Sequence, residues 1–224
     1  MDEKDTNRLE AFSDGVFAVA ITLLVLDIKF NPFDAKGVLW NDSALWGEIF
    51  SQWPTLLAFV TSFFTIGVMW LNHHRVFKHI KHSDTMLLFL NILLLMIIVF
   101  IPVPTSLLAE YVIHPDYHAA AILYSATFLA MATCFNIIWR YASYKGRLLG
   151  TNVDVAGVNK ISRQYVFGPL VYVVALGIAW FNTPLTIVFS LLLAIFFALP
   201  DISFRRRGGD QDSIKDEEPA EEMV

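Results

Sequence analysis

The sequence predicts an all-α integral membrane protein that crosses the bilayer with six transmembrane helices and keeps both termini cytoplasmic. Three observations predict it. Hydrophobic residues make up 56% of the 224 and charged residues only 17%, a balance too apolar for a soluble domain of this length. The charges are also segregated, leaving uncharged stretches long enough for a helix to cross about 30 Å of hydrocarbon, where a transmembrane barrel would show short alternating segments. Lys and Arg collect on the cytoplasmic side of membrane proteins. Here 14 of the 16 fall on one face, at the two ends of the chain, in the loops 73–84 and 141–164 and at Arg140 just before the second loop, and only Lys29 and Lys36 fall on the other.

The spans are expected at about 8–30, 46–72, 85–108, 118–140, 165–182 and 184–203. The last two must form a hairpin at Asn182-Thr183-Pro184, because the 36 residues from Tyr165 to Pro200 would make a helix of about 54 Å, too long for one crossing. Residues 1–204 thus read as one six-helix domain in the cell membrane. Residues 205–224 turn from three arginines to acidic sequence without aromatics, a composition expected to stay disordered. The N-terminus opens with Asp2, Glu3 and Asp5, which is no signal peptide, so the first apolar segment is expected to remain. Cys134 is the single cysteine and is expected to be small apolar filler.

The first helix is the informative one. Only the 12 residues Gly15 to Leu26 separate Asp14 from Asp27, about 18 Å of helix against roughly 30 Å of hydrocarbon. Asp14 therefore lies inside the membrane region, where a carboxylate needs protein partners or water and marks a functional or buried-network site. Candidate partners stand at the same depth in Trp70, Asn72, His73, His74 and Arg75 of the second helix and Asn91 of the third. The expectation is a network in which Ser13 and Asp14 accept hydrogen bonds from these groups and fix the first helix in rotation and depth. A structural clamp accounts for it, and so does proton relay or ion coordination. Val19, Leu23 and Leu26 form one stripe of the same helix, a packing seam or a pore lining on spacing alone.

Arg8-Leu-Glu-Ala-Phe12-Ser13-Asp14, followed by Gly-Val-Phe-Ala-Val-Ala-Ile-Thr-Leu-Leu-Val-Leu-Asp, resembles the signature first helix of the transmembrane protein 175 potassium channels. Trp70-Leu-Asn-His-His is similar to what their second helix contains. The resemblance covers the first 100 residues and the six-helix layout. It implies a homotetramer, since prokaryotic members have one six-helix unit per chain, with four subunits around a central pore lined by the first helix. It implies a potassium-permeable cation channel, with protons as a further candidate ion. In that family an isoleucine five residues after the motif aspartate narrows the pore and leucines follow one and two turns on. The positions here are Val19, Leu23 and Leu26, so Val19 stands where isoleucine is usual, one methylene shorter. Thr22 adjoins this stripe and offers a hydroxyl to a partly dehydrated ion. Asp27 is either an acidic ring at the external mouth or a helix-end carboxylate paired with Lys29.

The partners implied are potassium ions, the lipid bilayer and further copies of the chain, with no nucleic acid, no cofactor and no metal. The sequence offers no nucleophile, metal site or nucleotide cradle of the kind an enzyme needs. His73, His74, His79 and His82 alternate with Arg75, Lys78 and Lys81 and read as a basic juxtamembrane segment. A secondary transporter is the alternative, because Pro54, Pro102, Pro104 and Gly168-Pro169 suit broken helices. Against it stand the lack of an internal repeat and of a midplane charge in the later helices.

Overall fold

Prolines and caps decide where the helices of this chain begin and break. The computed structural model describes residues 3–29, 33, 37–111, 118–150 and 155–198, and among these every regular element is helical apart from isolated bridges. The first helix, α1 (Glu3–Leu23), tightens into a 3-10 turn over Leu24–Asp27. The second span, expected as one helix over 46–72, is divided at Gln52 into α2 (Asp42–Ser51) and α3 (Trp53–His79). Pro54 lacks an amide proton and sits in the first turn of α3, where none is needed. Helix α3 then continues to His79 through residues expected in a loop. Its buried face persists there, with Val76 and Phe77 only 1% and 2% exposed, and Lys78 and His79 complement its C-terminal dipole.

The third span is kinked rather than continuous, as α4 (Thr85–Phe100) and α5 (Pro102–Tyr111). Pro102 removes one helical donor, yet Ile101 keeps helical angles and its carbonyl accepts from Thr105 N at 3.1 Å, so the two pieces still span together. Helix α6 (Ala119–Ser143) is closed by a turn in which Lys145 and Gly146 take positive φ of 54° and 68°. Helix α7 (Val155–Ala179) starts ten residues before the expected 165 because its first turns are anchored, with Trp139 Nε1 donating to Ser162 Oγ at 2.8 Å. Helix α8 (Thr183–Ala198) follows a hairpin in which Asn182 Oδ1 accepts from Leu185 N at 2.9 Å. The predicted tail, 205–224, and the expected end of the last span beyond Ala198 lie outside the described residues.

Among the described residues, five spans are long and apolar enough to cross a membrane, Thr6–Asp27, Trp53–His79, Thr85–Tyr111, Ala119–Gly146 and Gly157–Ala179, and α8 contains a shorter apolar stretch. Burial agrees with lipid as the solvent. Phe167, Leu170, Val173 and Val174 of α7 and Leu185, Val188, Leu192 and Ile195 of α8 are exposed, a continuous apolar surface that water would not tolerate. The interior instead holds Thr61, Ser62, Thr65, Asn72, His73, Asn91 and Thr105. Ser62 Oγ pairs with Thr105 Oγ1 at 2.8 Å and with Tyr124 OH at 3.2 Å, joining α3, α5 and α6 where no water is available. The chain is a multi-pass integral membrane protein.

At the end of the molecule rich in Lys and Arg, Asp84 joins three elements. It caps α4 through Leu87 N at 2.9 Å, accepts from Tyr141 OH of α6 at 2.6 Å and pairs with Arg147 at 3.4 Å. Arg147 also lies 4.7 Å from the Tyr141 ring centroid. Partial burial opposes charge on this carboxyl, but the Tyr141 and backbone hydrogen bonds and Arg147 outweigh it and hold Asp84 below the usual carboxylate range. Its contribution is therefore complete above the unfolded-state value near pH 4 and is lost as pH falls through the lower folded-state value. We expect Asp84→Ala to cost about 1 kcal/mol from the cap alone and to flatten the acid side of a thermal-midpoint profile. An unchanged midpoint and acid limb would exclude this role.

Candidate functional site

Helix α1 has two faces of opposite character. Leu9, Ser13, Phe17, Ala20 and Leu24 recur every three or four residues and are all buried, against α3 and α4. Phe12, Val19, Leu23 and Leu26 recur on the other side and are exposed by 60%, 54%, 36% and 64%. Arg8 and Thr22 lie on this exposed side too, and Thr22 Oγ1 turns back to Val19 O at 2.9 Å. One face of the helix is thus held by its own chain and the other is left exposed among the described residues.

The buried face is held by a directed chain of hydrogen bonds. His73 Nε2 lies 3.0 Å from Asn91 Oδ1, an oxygen that can only accept, so the Nε2 proton is donated. Asn91 Nδ2 donates to Ser13 Oγ at 2.9 Å, and Ser13 Oγ donates to Leu9 O at 2.8 Å. Three helices are joined, all three side chains are essentially unexposed, and donors aligned in one sense polarise one another. Aromatic rings close the site: Phe17 meets His73 edge-on at 5.4 Å and Phe77 stacks on it at 4.2 Å. His73 Nδ1 is left without a partner.

A second set of contacts lies at the margin of the first. Trp70 Nε1 donates to Asp14 Oδ1 at 2.8 Å, and His74 Nδ1 lies 2.6 Å from Glu10 Oε1. Glu10 was not among the residues anticipated. Its position four residues before Asp14, one turn along the same face, is the sequence signal that points to it. Asn72, anticipated beside α1, bonds elsewhere: its Oδ1 accepts from Arg75 Nη1 at 3.4 Å and its backbone oxygen from Tyr165 OH of α7 at 3.3 Å. Three-residue spacing turns Asn72 away from the side of α3 that His73 and Trp70 present to α1. Asp27 is partly buried in the 3-10 turn and forms no ion pair with Lys29 within 4 Å among the described residues.

Removing the central amide exposes the cost of this arrangement. Asn91→Ala leaves His73 Nε2 without its acceptor and Ser13 without its donor, and a buried polar group stripped of its partner costs about 1–3 kcal/mol. The expected result is a lower thermal midpoint of the purified protein, with any change in reversal potential following from the freed rotation of α1 and never appearing without that loss of stability. A normal midpoint with altered ion preference would contradict it.

Residues 8–102 match the family model described as endosomal/lysosomal potassium channel TMEM175. A protein of Chamaesiphon minutus named a potassium channel is 45% identical over 198 residues, covering 88% of this chain and 96% of that one. A Streptomyces collinus protein, also named a potassium channel, is 40% identical over 199 residues, covering 88% and 94%. The crystal structure of a lysosomal potassium-selective channel TMEM175 homolog from Chamaesiphon minutus superimposes with a TM-score of 0.77 at 44% identity, covering 88% of this chain and 97% of that chain. Shared sequence along nearly the whole length and a shared fold lead to one conclusion: this chain belongs to the TMEM175 family.

Proposed function

We propose that the chain is one subunit of a potassium-permeable cation channel, built as a homotetramer with both termini cytoplasmic and the exposed stripe of α1 lining a central pore. The observation that supports this most is the two-faced α1, fixed by a buried polar chain on one side and unpartnered on the other. A helix destined for lipid has no need of a clamp that sets its rotation. A pore helix does, because a constriction works only if the same side chain faces the axis in every subunit. A single six-helix unit cannot enclose an axis alone, so several copies are required.

Val19 forms the narrowest ring in this reading, with Leu23 and Leu26 one and two turns further and Thr22 beside it. A narrow apolar ring makes an ion shed water without replacing it, and potassium gives up its shell more readily than sodium. The same ring gates by dewetting when no ion holds it open. Selectivity is then moderate, since no carbonyl filter of the Thr-Val-Gly-Tyr-Gly kind occurs in the chain. Ser13, Asp14, Trp70, His73, His74 and Asn91 act here as the frame that orients the ring, whereas Arg8 and Phe12, expected in that packing network, lie on the exposed side of α1 with the ring. Asn72 supports the frame from the α7 side, and Asp27 stands at the external mouth.

Substitutions at Val19 test this through opposite directions of effect. Val19→Ala widens the ring and Val19→Asn wets it, so both should raise single-channel current and lower potassium preference under a potassium/sodium gradient. Val19→Ile should hold or sharpen the preference. A packing seam would instead lose stability on both truncation and enlargement. If Val19→Ala and Val19→Asn fold normally and keep wild-type currents and reversal potentials, Val19 is not the constriction. A reversal potential that follows a pH gradient would identify protons as a second permeant ion.

A further inference from the structure

Helix α7 is interrupted chemically at one turn, and α6 completes it there. Pro169 lies inside α7 and has no amide proton, so the carbonyl four residues back, Tyr165 O, lacks its helical donor. Asn136 Nδ2 of α6 donates to that oxygen at 2.6 Å. A proline inside a membrane-spanning helix is tolerated where a neighbour satisfies the carbonyl it frees, and Asn136 supplies that bond from outside the helix.

The residue before the proline loosens the same turn. Gly168 is buried, yet a Cβ there would meet nothing within 4 Å beyond its own helix, so no close approach demands glycine. What glycine supplies at this position is backbone freedom in the middle of a helix. The space beside it is a cavity of about 20 Å³ lined in part by Asn72, Tyr165, Gly168 and Tyr172, room for about one water. A missing helical bond, a glycine and loose packing thus fall together on one turn of α7, and it is at such places that helices bend.

Tyr165, whose carbonyl is freed, also reaches the frame of the pore helix. Its OH donates to Asn72 O at 3.3 Å, and the next residue, His73, begins the line through Asn91 to Ser13 of α1. We propose that Asn136 and Tyr165 are positioning residues for the pore helix. Gly168 and Pro169 make α7 a hinge, Asn136 holds the hinge in one setting through Tyr165 O, and the Tyr165 phenol passes that setting to α3 beside His73. The inference rests on α1 as the pore lining. Because none of these residues belongs to the exposed stripe of α1, the hinge acts on how often the pore is open and leaves the constriction as it is.

Thermal unfolding and single-channel recording of the same purified full-length protein test this together. Asn136→Leu leaves Tyr165 O without its donor, so it should lower the thermal midpoint by about 3 °C or more. It should also change open probability about fivefold, the factor that one net hydrogen bond is worth, with unitary current and reversal potential unaltered. Pro169→Ala restores an amide that can donate to Tyr165 O, and in that background Asn136→Leu should have little further effect on either readout. A side chain that only fills space would cost the same in both backgrounds. Tyr165→Phe keeps the ring beside Phe135 and removes the bond to Asn72, and it should move open probability in the same direction as Asn136→Leu. Gly168→Ala fits without a clash and stiffens α7, so it should move open probability the opposite way, and it serves as the stiffened variant should Pro169→Ala fail to fold. Equal effects of Asn136→Leu with and without Pro169, or wild-type open probability in both Tyr165→Phe and Gly168→Ala, overturn the proposal. A wild-type protein that passes no current contradicts the channel reading, and the role in opening falls with it, while the midpoint comparison still reports whether Asn136 holds Tyr165 O.

Discussion

Everything distinctive about this molecule depends on the hydrogen-bonded line from His73 through Asn91 to Ser13. Helices in lipid gain little from hydrophobic association, because the surrounding tails are as apolar as leucine, so rotation must be fixed by close packing and by polar groups that have no alternative partner. His73, Asn91 and Ser13 are such groups, at essentially zero exposure. A rotation of α1 by one residue, about 100°, would remove Ser13 from Asn91 and leave the buried Asn91 Nδ2 without its acceptor. The penalty falls on one angular setting of the helix, and that setting presents Val19, Leu23 and Leu26 outward.

The rest of the bundle supports this line. Helix α3 is the element that α1 and α5 and α8 all pack against, and it contributes His73 and Trp70 on one side and Asn72 on the other. Tyr165 reaches Asn72 from α7 and stacks near Phe135 of α6 at 6.2 Å, so the back of α3 is packed with rings. The Asp84, Tyr141 and Arg147 group pins the start of α4, the helix that supplies Asn91, to α6 and its following turn. Displacing either neighbour moves the groups that hold α1. The exposed stripe is thus set by a frame two helices deep.

Much of this was legible in the sequence because the bilayer enforces simple rules. Segregated charge gave the spans, and the short uncharged interval between Asp14 and Asp27 marked α1 as a helix with protein partners. Trp70, His73 and Asn91 were readable as partners because lone polar groups in apolar helices must go somewhere. Other features were not readable. Asn72 lies in the same run of residues as His73, and only the rotation of α3, fixed by distant packing, sends it to Tyr165 instead. Pro54 and Pro102 produced a junction and a kink whose outcomes depend on which carbonyls neighbouring helices leave free. Asp84 and Arg147 are 63 positions apart, and no local pattern announces that a turn with positive φ at Lys145 brings them together.

The central claim is that the exposed face of α1 meets its own copies around a shared axis instead of lipid. Disulfide cross-linking of Val19→Cys, in a chain whose buried Cys134 is replaced by alanine, tests it most directly. Oxidation in the membrane should give covalently linked pairs of chains on a non-reducing gel, while cysteine at Ala20, on the buried face, should give none. If Val19→Cys stays monomeric under oxidation and is modified by a maleimide dissolved in the lipid, α1 faces the bilayer and the account is wrong.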